Sequence, residues 1–172
     1  MESTPISVAG PADVTALESL VNSAYRGDKA RKGWTHEADL LGGQRIDADG
    51  IAALLTNEQA TLLKYTDNGR IVGCVCLEQK GTNLYLGMLT TDPEYQGKGI
   101  GKAMLQAADR HAVQLGCTLL EMTVITDRKE LVAWYERHGY VNTGVTKPFP
   151  HNDVRFGIPV KPLEFVVLEK VL

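Results

Sequence analysis

The 172-residue chain has no basic surplus; its formal net charge is −3. A nucleic-acid binder needs a basic footprint, so that class is not expected. The one locally basic stretch, YRGDKARKG at 25–33, reads as a solvated loop. No apolar segment approaches the length of a membrane span. The opening MESTPISVAG lacks a basic leader before an apolar run, so no secretory signal is expected. Cysteines are few: Cys74, Cys76 and Cys117, an odd number, all in apolar runs. That usage points to reduced core thiols and a cytoplasmic setting. Cys74-Val75-Cys76 has no Cys/His partner pair at ligand spacing, so no metal is expected. Internal repeats, low-complexity tracts and linkers are also missing. One domain over 1–172 is therefore expected, long enough to bury a core without covalent staples.

What is there is a regular alternation of elements. ISVAG at 6–10 reads as a strand, and Pro11 suits the start of a helix with Asp13 in its first turn. Val14, Leu17, Leu20, Val21 and Ala24 give that helix one apolar stripe. Residues 26–45 read as polar and irregular. A shorter helix begins near Asp47 and turns Ile51, Leu54 and Leu55 inward. The strands ATLLKYT and RIVGCVCLEQ meet at Asp67-Asn68-Gly69, a hairpin signal, and NLYLGMLTT at 83–91 follows. A helix from Ile100 stops at Gly116. CTLLEMTVI reads as a strand buried on both faces, and KELVAWYERHG as a helix stopped by Gly139. YVNTGVT and LEFVVLEKV close the chain around a proline-rich loop at 147–162. The strand–helix–strand unit near the middle should be parallel, and the hairpins elsewhere make the sheet mixed.

That unit contains TTDPEYQGKGIGKAML, at 90–105. Glycine costs about 1 kcal/mol in a helix relative to alanine, so Gly97, Gly99 and Gly101 at a helix start ask for a reason. A helix N-terminus offers unpaired N–H groups and partial positive charge, and so takes up phosphate. Two familiar phosphate loops do not fit. Gln96 stands where a P-loop needs glycine and Ala103 where it needs Ser/Thr, while Met104 replaces the third glycine of a dinucleotide loop. The glycines could also serve only a tight strand-to-helix turn, with Lys98 and Lys102 as solvated charges.

Gln96-x-x-Gly99-x-Gly101, after a strand and Asp92-Pro93-Glu94-Tyr95, resembles the acyl-CoA signature of the GNAT superfamily of acetyl-CoA-dependent N-acetyltransferases. LVAWYERHGY at 131–140 is similar to that superfamily's second signature. The resemblance implies an α/β (mixed α+β) acyl-CoA N-acyltransferase fold. Its central sheet would be twisted and mostly antiparallel, with one parallel, splayed strand pair and helices on both faces. It implies acetyl-CoA as co-substrate, bound by Gln96, Gly97, Lys98, Gly99, Ile100, Gly101 and Lys102, its diphosphate on the backbone N–H groups of Gly97 to Gly101. The pantetheine arm would pair with Leu89, Thr90 and Thr91, the Leu89 N–H facing the thioester carbonyl. A neutral amine acceptor would attack directly, with Tyr135 as general acid for the departing thiolate. The alternative for Tyr135 is a core aromatic, since Leu131, Trp134 and His138 share its helical spacing.

The general base stays open. The strand at 83–91 has no carboxylate. Glu121 shares a strand face with Thr123 and is the first choice, although it could face solvent; Glu78 and Glu37 are alternatives. Many family members carry asparagine seven residues before the tyrosine. Arg128 stands there instead, able to grip CoA or an acidic acceptor group. The acceptor pocket is expected from Trp34, His36, Glu37 and Arg45 together with TKPFPHNDVRFGIP at 146–159. Trp34, Phe149 and Phe156 would form an apolar wall, Glu37 or Asp39 would attract the amine, and Arg45 or Arg155 would hold a carboxylate. His151 lies near the same pocket. The same loop could simply pack over the sheet or against a second subunit, so a monomer or homodimer is expected. A non-catalytic acyl-CoA binding module, or an unrelated nucleotide binder, remains open at this stage.

Overall fold

The computed structural model describes residues 4–150 and 157–172. His151, Arg155 and Phe156 lie outside the described residues. The elements are β1 (Ile6–Val8), α1 (Val14–Tyr25), α2 (Gly27–Ala30), β2 (Leu41–Gly42), α3 (Ala48–Thr56), β3 (Ala60–Asp67), β4 (Arg70–Lys80) and β5 (Asn83–Thr91). They continue with α4 (Ile100–Gln114), β6 (Leu119–Ile125), α5 (Lys129–Arg137), β7 (Val141–Pro148), β8 (Ile158–Pro159) and β9 (Glu164–Val171).

The large sheet has the order β1-β3-β4-β5-β6-β9-β7. Only β5 and β6 run parallel; every other neighbouring pair is antiparallel. Helices cover both faces. On one, Leu17 and Val21 of α1 and Ile51 of α3 pack with Leu62, Cys74 and Cys76. On the other, Met104 and Ala108 of α4 and Val132 of α5 pack with Leu77, Leu84 and Leu120. Each fully buried Leu or Met of these layers contributes about 1.5–3 kcal/mol through loss of apolar surface to water.

Local chemistry accounts for the boundaries. The buried positions of α1 are Leu17, Leu20, Val21 and Ala24, the stripe expected from helical spacing. The Asp47 side chain accepts the Gly50 N–H at 2.7 Å and caps α3. Asn68 and Gly69 both take positive φ, which matches the right-handed twist of β3 and β4 across a two-residue turn.

Three expectations need correction. Residues 26–45 and 147–162 are not wholly irregular: they supply α2, and β2 pairs with β8 in a small second sheet. A two-residue strand has no periodicity to reveal it. YRGDKARKG is not a solvated loop, because Arg26 and Ala30 are buried. β6 is not buried on both faces; Leu120, Met122 and Val124 are buried, whereas Leu119, Glu121 and Thr123 are half-buried.

Two irregularities in the middle of the sheet create the site. Between Cys76↔Gly87 and Cys74↔Thr90 the β4–β5 register jumps, so Val75 opposes both Met88 and Leu89. This is a β-bulge, and Met88 takes φ +57° within it. The bulge reverses the side-chain alternation of β5. Leu84 and Leu86 face α4, Met88 turns to the α1 side, and Leu89 returns to the α4 side. Meanwhile β5 and β6 pair only from Asn83↔Leu119 to Tyr85↔Glu121 and then part.

Candidate active site at the strand divergence

Two cavities meet where β5 and β6 diverge. The first, about 410 Å³, lies between the α4 N-terminus, the loop at 34–35 and α5. The second, about 260 Å³, occupies the gap between the C-terminal halves of β5 and β6. Tyr25, Leu89, Arg128, Leu131 and Tyr135 line both.

The floor of the first cavity is the glycine turn. Gly97 and Gly99 take φ +80° and +79°, and nothing lies within 4 Å of a Cβ built on either. Their glycine identity therefore serves the backbone conformation and leaves the space before it open. Gly101 differs: a Cβ there would stand 3.3 Å from the Trp134 ring. The first N–H to find a helical acceptor is that of Ala103, donating to the Gly99 carbonyl at 3.0 Å. The N–H groups of Ile100, Gly101 and Lys102 precede it and have no acceptor within the helix. All three residues line the cavity, as do Gly97, Gly99 and Thr91. Unpaired amides at a dipole's positive end, before open space, suit a diphosphate.

The two lysines of the turn separate. Lys102 lines the cavity, whereas Lys98 lays its ammonium 4.8 Å from the centre of the Tyr95 ring and is not among the lining residues. Gln96 also lines it, but its side-chain oxygen accepts the Trp34 N–H at 2.9 Å and ties the turn to the 34–35 loop. Thr90 donates its hydroxyl to the Met88 carbonyl at 2.8 Å and lines neither cavity.

α5 supplies the opposite wall. Tyr135 is buried, its ring edge-on to Trp134 and Tyr140. No hydrogen bond engages its hydroxyl among the described residues. Burial pushes the phenol well above its ordinary value; the Tyr25 hydroxyl adds to the rise and Arg128 opposes it. His138 stacks on Trp134 at 4.2 Å, and its Nδ1 lies 2.7 Å from the Trp134 carbonyl.

An ion-pair network fixes the boundary between the cavities. Glu37 is buried, with Oε2 held by Arg26 Nε at 3.0 Å and Nη2 at 2.9 Å, and Oε1 by Arg128 Nη1 at 3.1 Å. Arg128 Nη2 donates to Thr35 Oγ1 at 2.9 Å, and that hydroxyl donates to Glu130 at 2.8 Å. The expected role of Glu37 as an attractor of amines is thereby corrected, since two guanidinium groups already occupy its oxygens. Asp39 pairs with Arg31 at the surface and lines neither cavity. Trp34 lines the first cavity and stacks near Trp134 at 6.2 Å, so it walls the α4 side and not the second cavity. Arg45 and Phe149 do line the second cavity.

Glu121 stays in the paired segment, opposite Tyr85 and Glu169, and is not among the lining residues of either cavity. Its strand neighbour Thr123 is in the gap and shares a 2.7 Å hydrogen bond with Tyr85. Face alternation placed the two together; the point of divergence separates them. Glu78 and His111 are likewise outside both linings.

Sequence reasoning missed Tyr25. Its hydroxyl donates to the Leu89 carbonyl at 2.7 Å, which engages the bulge from α1. The signal was available: Tyr25 stands four residues after Val21 and continues the buried stripe.

The acetyltransferase (GNAT) family model matches residues 15–140, from α1 through the glycine turn to the end of α5. The chain belongs to the GNAT acetyltransferase family. A mycothiol acetyltransferase from Propionibacterium freudenreichii is 36% identical over 72 residues, 38% of this chain and 23% of that protein. The chain thus spans less than a quarter of the length of that curated relative. Among solved structures, a ribosomal-protein-alanine N-acetyltransferase from Brucella melitensis is similar with TM-score 0.72 at 18% identity, covering 97% of this chain and 99% of that one. The PaiA N-acetyltransferase of Thermoplasma acidophilum, solved with coenzyme A, gives TM-score 0.72 at 16% identity, covering 99% and 100%. Likeness at these identities establishes the shared fold: a mostly antiparallel sheet with one parallel pair and helices on both faces. Among the described residues no helix is long and apolar enough to cross a membrane, and no cluster of three or more His, Cys, Asp or Glu could hold a metal.

Proposed function

We propose that this GNAT chain transfers an acetyl group from acetyl-CoA to a primary amine. The observation that carries the reading is the junction of the two cavities at Tyr135 and Leu89, one cavity opening on the amides of the α4 N-terminus. When bound, acetyl-CoA supplies the acetyl group as a thioester. The backbone N–H groups at 100–102, with Lys102, would hold the diphosphate. Leu89, displaced from the ladder by the bulge, would direct its N–H at the thioester carbonyl, where one preorganised donor is worth about 3 kcal/mol. Tyr135 keeps its proton at the phenolic oxygen throughout the neutral range and would release it to the sulfur as the C–S bond breaks and the C–N bond forms.

No free carboxylate lines either cavity among the described residues, since Glu37 is ion-paired. The amine therefore enters neutral and loses its proton to water, from which the Tyr135 phenolate regains the proton it gave to the sulfur. The same observation supports a second reading, a non-catalytic acyl-CoA binding module on this fold. An assay of thiol release from acetyl-CoA over amino acids, polyamines, aminoglycosides and peptides separates the two. Transfer predicts release with at least one amine, and replacing Tyr135 with Phe should lower turnover about 100-fold or more while acetyl-CoA affinity stays nearly constant. Binding without release over the whole panel would leave the second reading standing.

A further inference from the structure

The second cavity carries a cation, Arg45, that the acetyl-transfer reading does not use. Glu37 is its one acidic lining residue among those described, and both carboxylate oxygens are taken up by Arg26 and Arg128. Arg26 is further committed, donating from Nη1 to the Gln44 carbonyl at 3.3 Å. Arg45 completes the set. Its guanidinium stands 5.6 Å from the centre of the Tyr25 ring, and it has no ion-pair partner among the described residues. Arg128 lies at the same distance from that ring. It is only 6% exposed, and its Nε has no hydrogen-bond partner. That Nε is itself closed to solvent, and the other two guanidinium nitrogens of Arg128 are held by Glu37 and Thr35. Among the described residues Arg45 is thus the guanidinium of this cavity left without a counter-charge, in a confined space where the dielectric is far below that of water. The rest of the gap is apolar, with Met88, Met122, Val124, Phe149 and Phe165.

We infer that the second cavity takes an amine acceptor bearing a carboxylate, an α-amino acid with an apolar or aromatic side chain. The carboxylate lies toward Arg45, the side chain among the methionines and phenylalanines, and the amino group toward the junction at Leu89 and Tyr135. This rests on the acetyl-transfer reading and names the substrate class of that site. A planar guanidinium matches a carboxylate in two parallel hydrogen bonds. The cavity volume of about 260 Å³ lies just under the ~300–1,000 Å³ range of drug-sized sites, which suits a free amino acid better than a peptide.

The test compares L-phenylalanine with phenethylamine, the same amine without its carboxylate, rates being expressed per neutral amine. The wild-type chain should favour the amino acid in kcat/KM by about tenfold or more, and Arg45→Gln should bring that ratio close to one. Equal rates on both amines in the wild-type chain, or a preference that survives in Arg45→Gln, would overturn the inference while leaving acetyl transfer intact. If neither amine releases thiol, acetyl transfer to them fails, and calorimetric titration of both into the protein saturated with CoA decides the carboxylate question separately. Binding of L-phenylalanine alone, lost in Arg45→Gln, supports the site; binding of both alike, or of neither, sinks it.

Discussion

Replacing Gly99 with alanine perturbs one backbone dihedral and little else. Gly99 caps α4 at φ +79°, and a Cβ built there meets no atom within 4 Å. Steric clash therefore contributes nothing. An L-residue in the left-handed region costs about 1–2 kcal/mol, equivalent to about five- to thirtyfold in an equilibrium constant. Where that cost appears depends on how firmly the turn is held. If the Gln96–Trp34 tether keeps the free protein in the same conformation, the loss falls on folding stability. If the turn relaxes when free, the loss falls on acetyl-CoA affinity, because binding must restore the strained form. The two losses should sum to about 1–2 kcal/mol either way. Urea unfolding measures the first and isothermal titration with acetyl-CoA the second. A sum below about 0.5 kcal/mol, outside the expected strain, would refute the claim that this turn needs glycine for its backbone.

Other consequences can be checked as directly. Tyr25→Phe removes the donor to the Leu89 carbonyl at the bulge and should cost about 1–2 kcal/mol, lowering Tm by about 2–8 °C; an unchanged Tm would detach Tyr25 from the bulge. Glu37→Gln removes the carboxylate that pairs with Arg26 and Arg128, and breaking such a buried pair costs about 3–5 kcal/mol, to be read from the urea midpoint. A loss under about 1 kcal/mol, the range of surface pairs, would mean that water replaces the carboxylate. Burial raises the phenols of Tyr25, Tyr135 and Tyr140. The unfolded chain releases those protons above about pH 10 while the fold retains them, so stability is full below that pH and falls above it. Thermal midpoints equal at pH 9 and pH 11 would contradict this.

The parts of the fold legible in the sequence were those governed by local rules. The α1 stripe, the Asp47 cap, the Asn68-Gly69 hairpin and the glycine turn all follow from neighbours a few residues apart, and each stands where those rules put it. The parts that were not legible depend on distant partners. Nothing local distinguishes Glu37 as an amine-attracting carboxylate from Glu37 as the centre of an arginine pair. Its partners are 11 and 91 residues away. Alternation put Glu121 and Thr123 on one face, but where β5 and β6 part is set by the bulge opposite Val75, which alternation cannot report. Arg26 looked solvated because its neighbours are charged, yet the end of α1 carries it inward beside Glu37. Two-residue strands such as β2 and β8 exist only through each other.

The central claim is that the amides opening α4 hold the diphosphate of acetyl-CoA. A crystal structure of the chain with coenzyme A measures this directly. The account predicts diphosphate oxygens within hydrogen-bonding distance of the N–H groups at 100–102, with the thiol end reaching the junction of the two cavities beside Tyr135. A coenzyme seated elsewhere, or those amides engaged by protein atoms while it is bound, would contradict it.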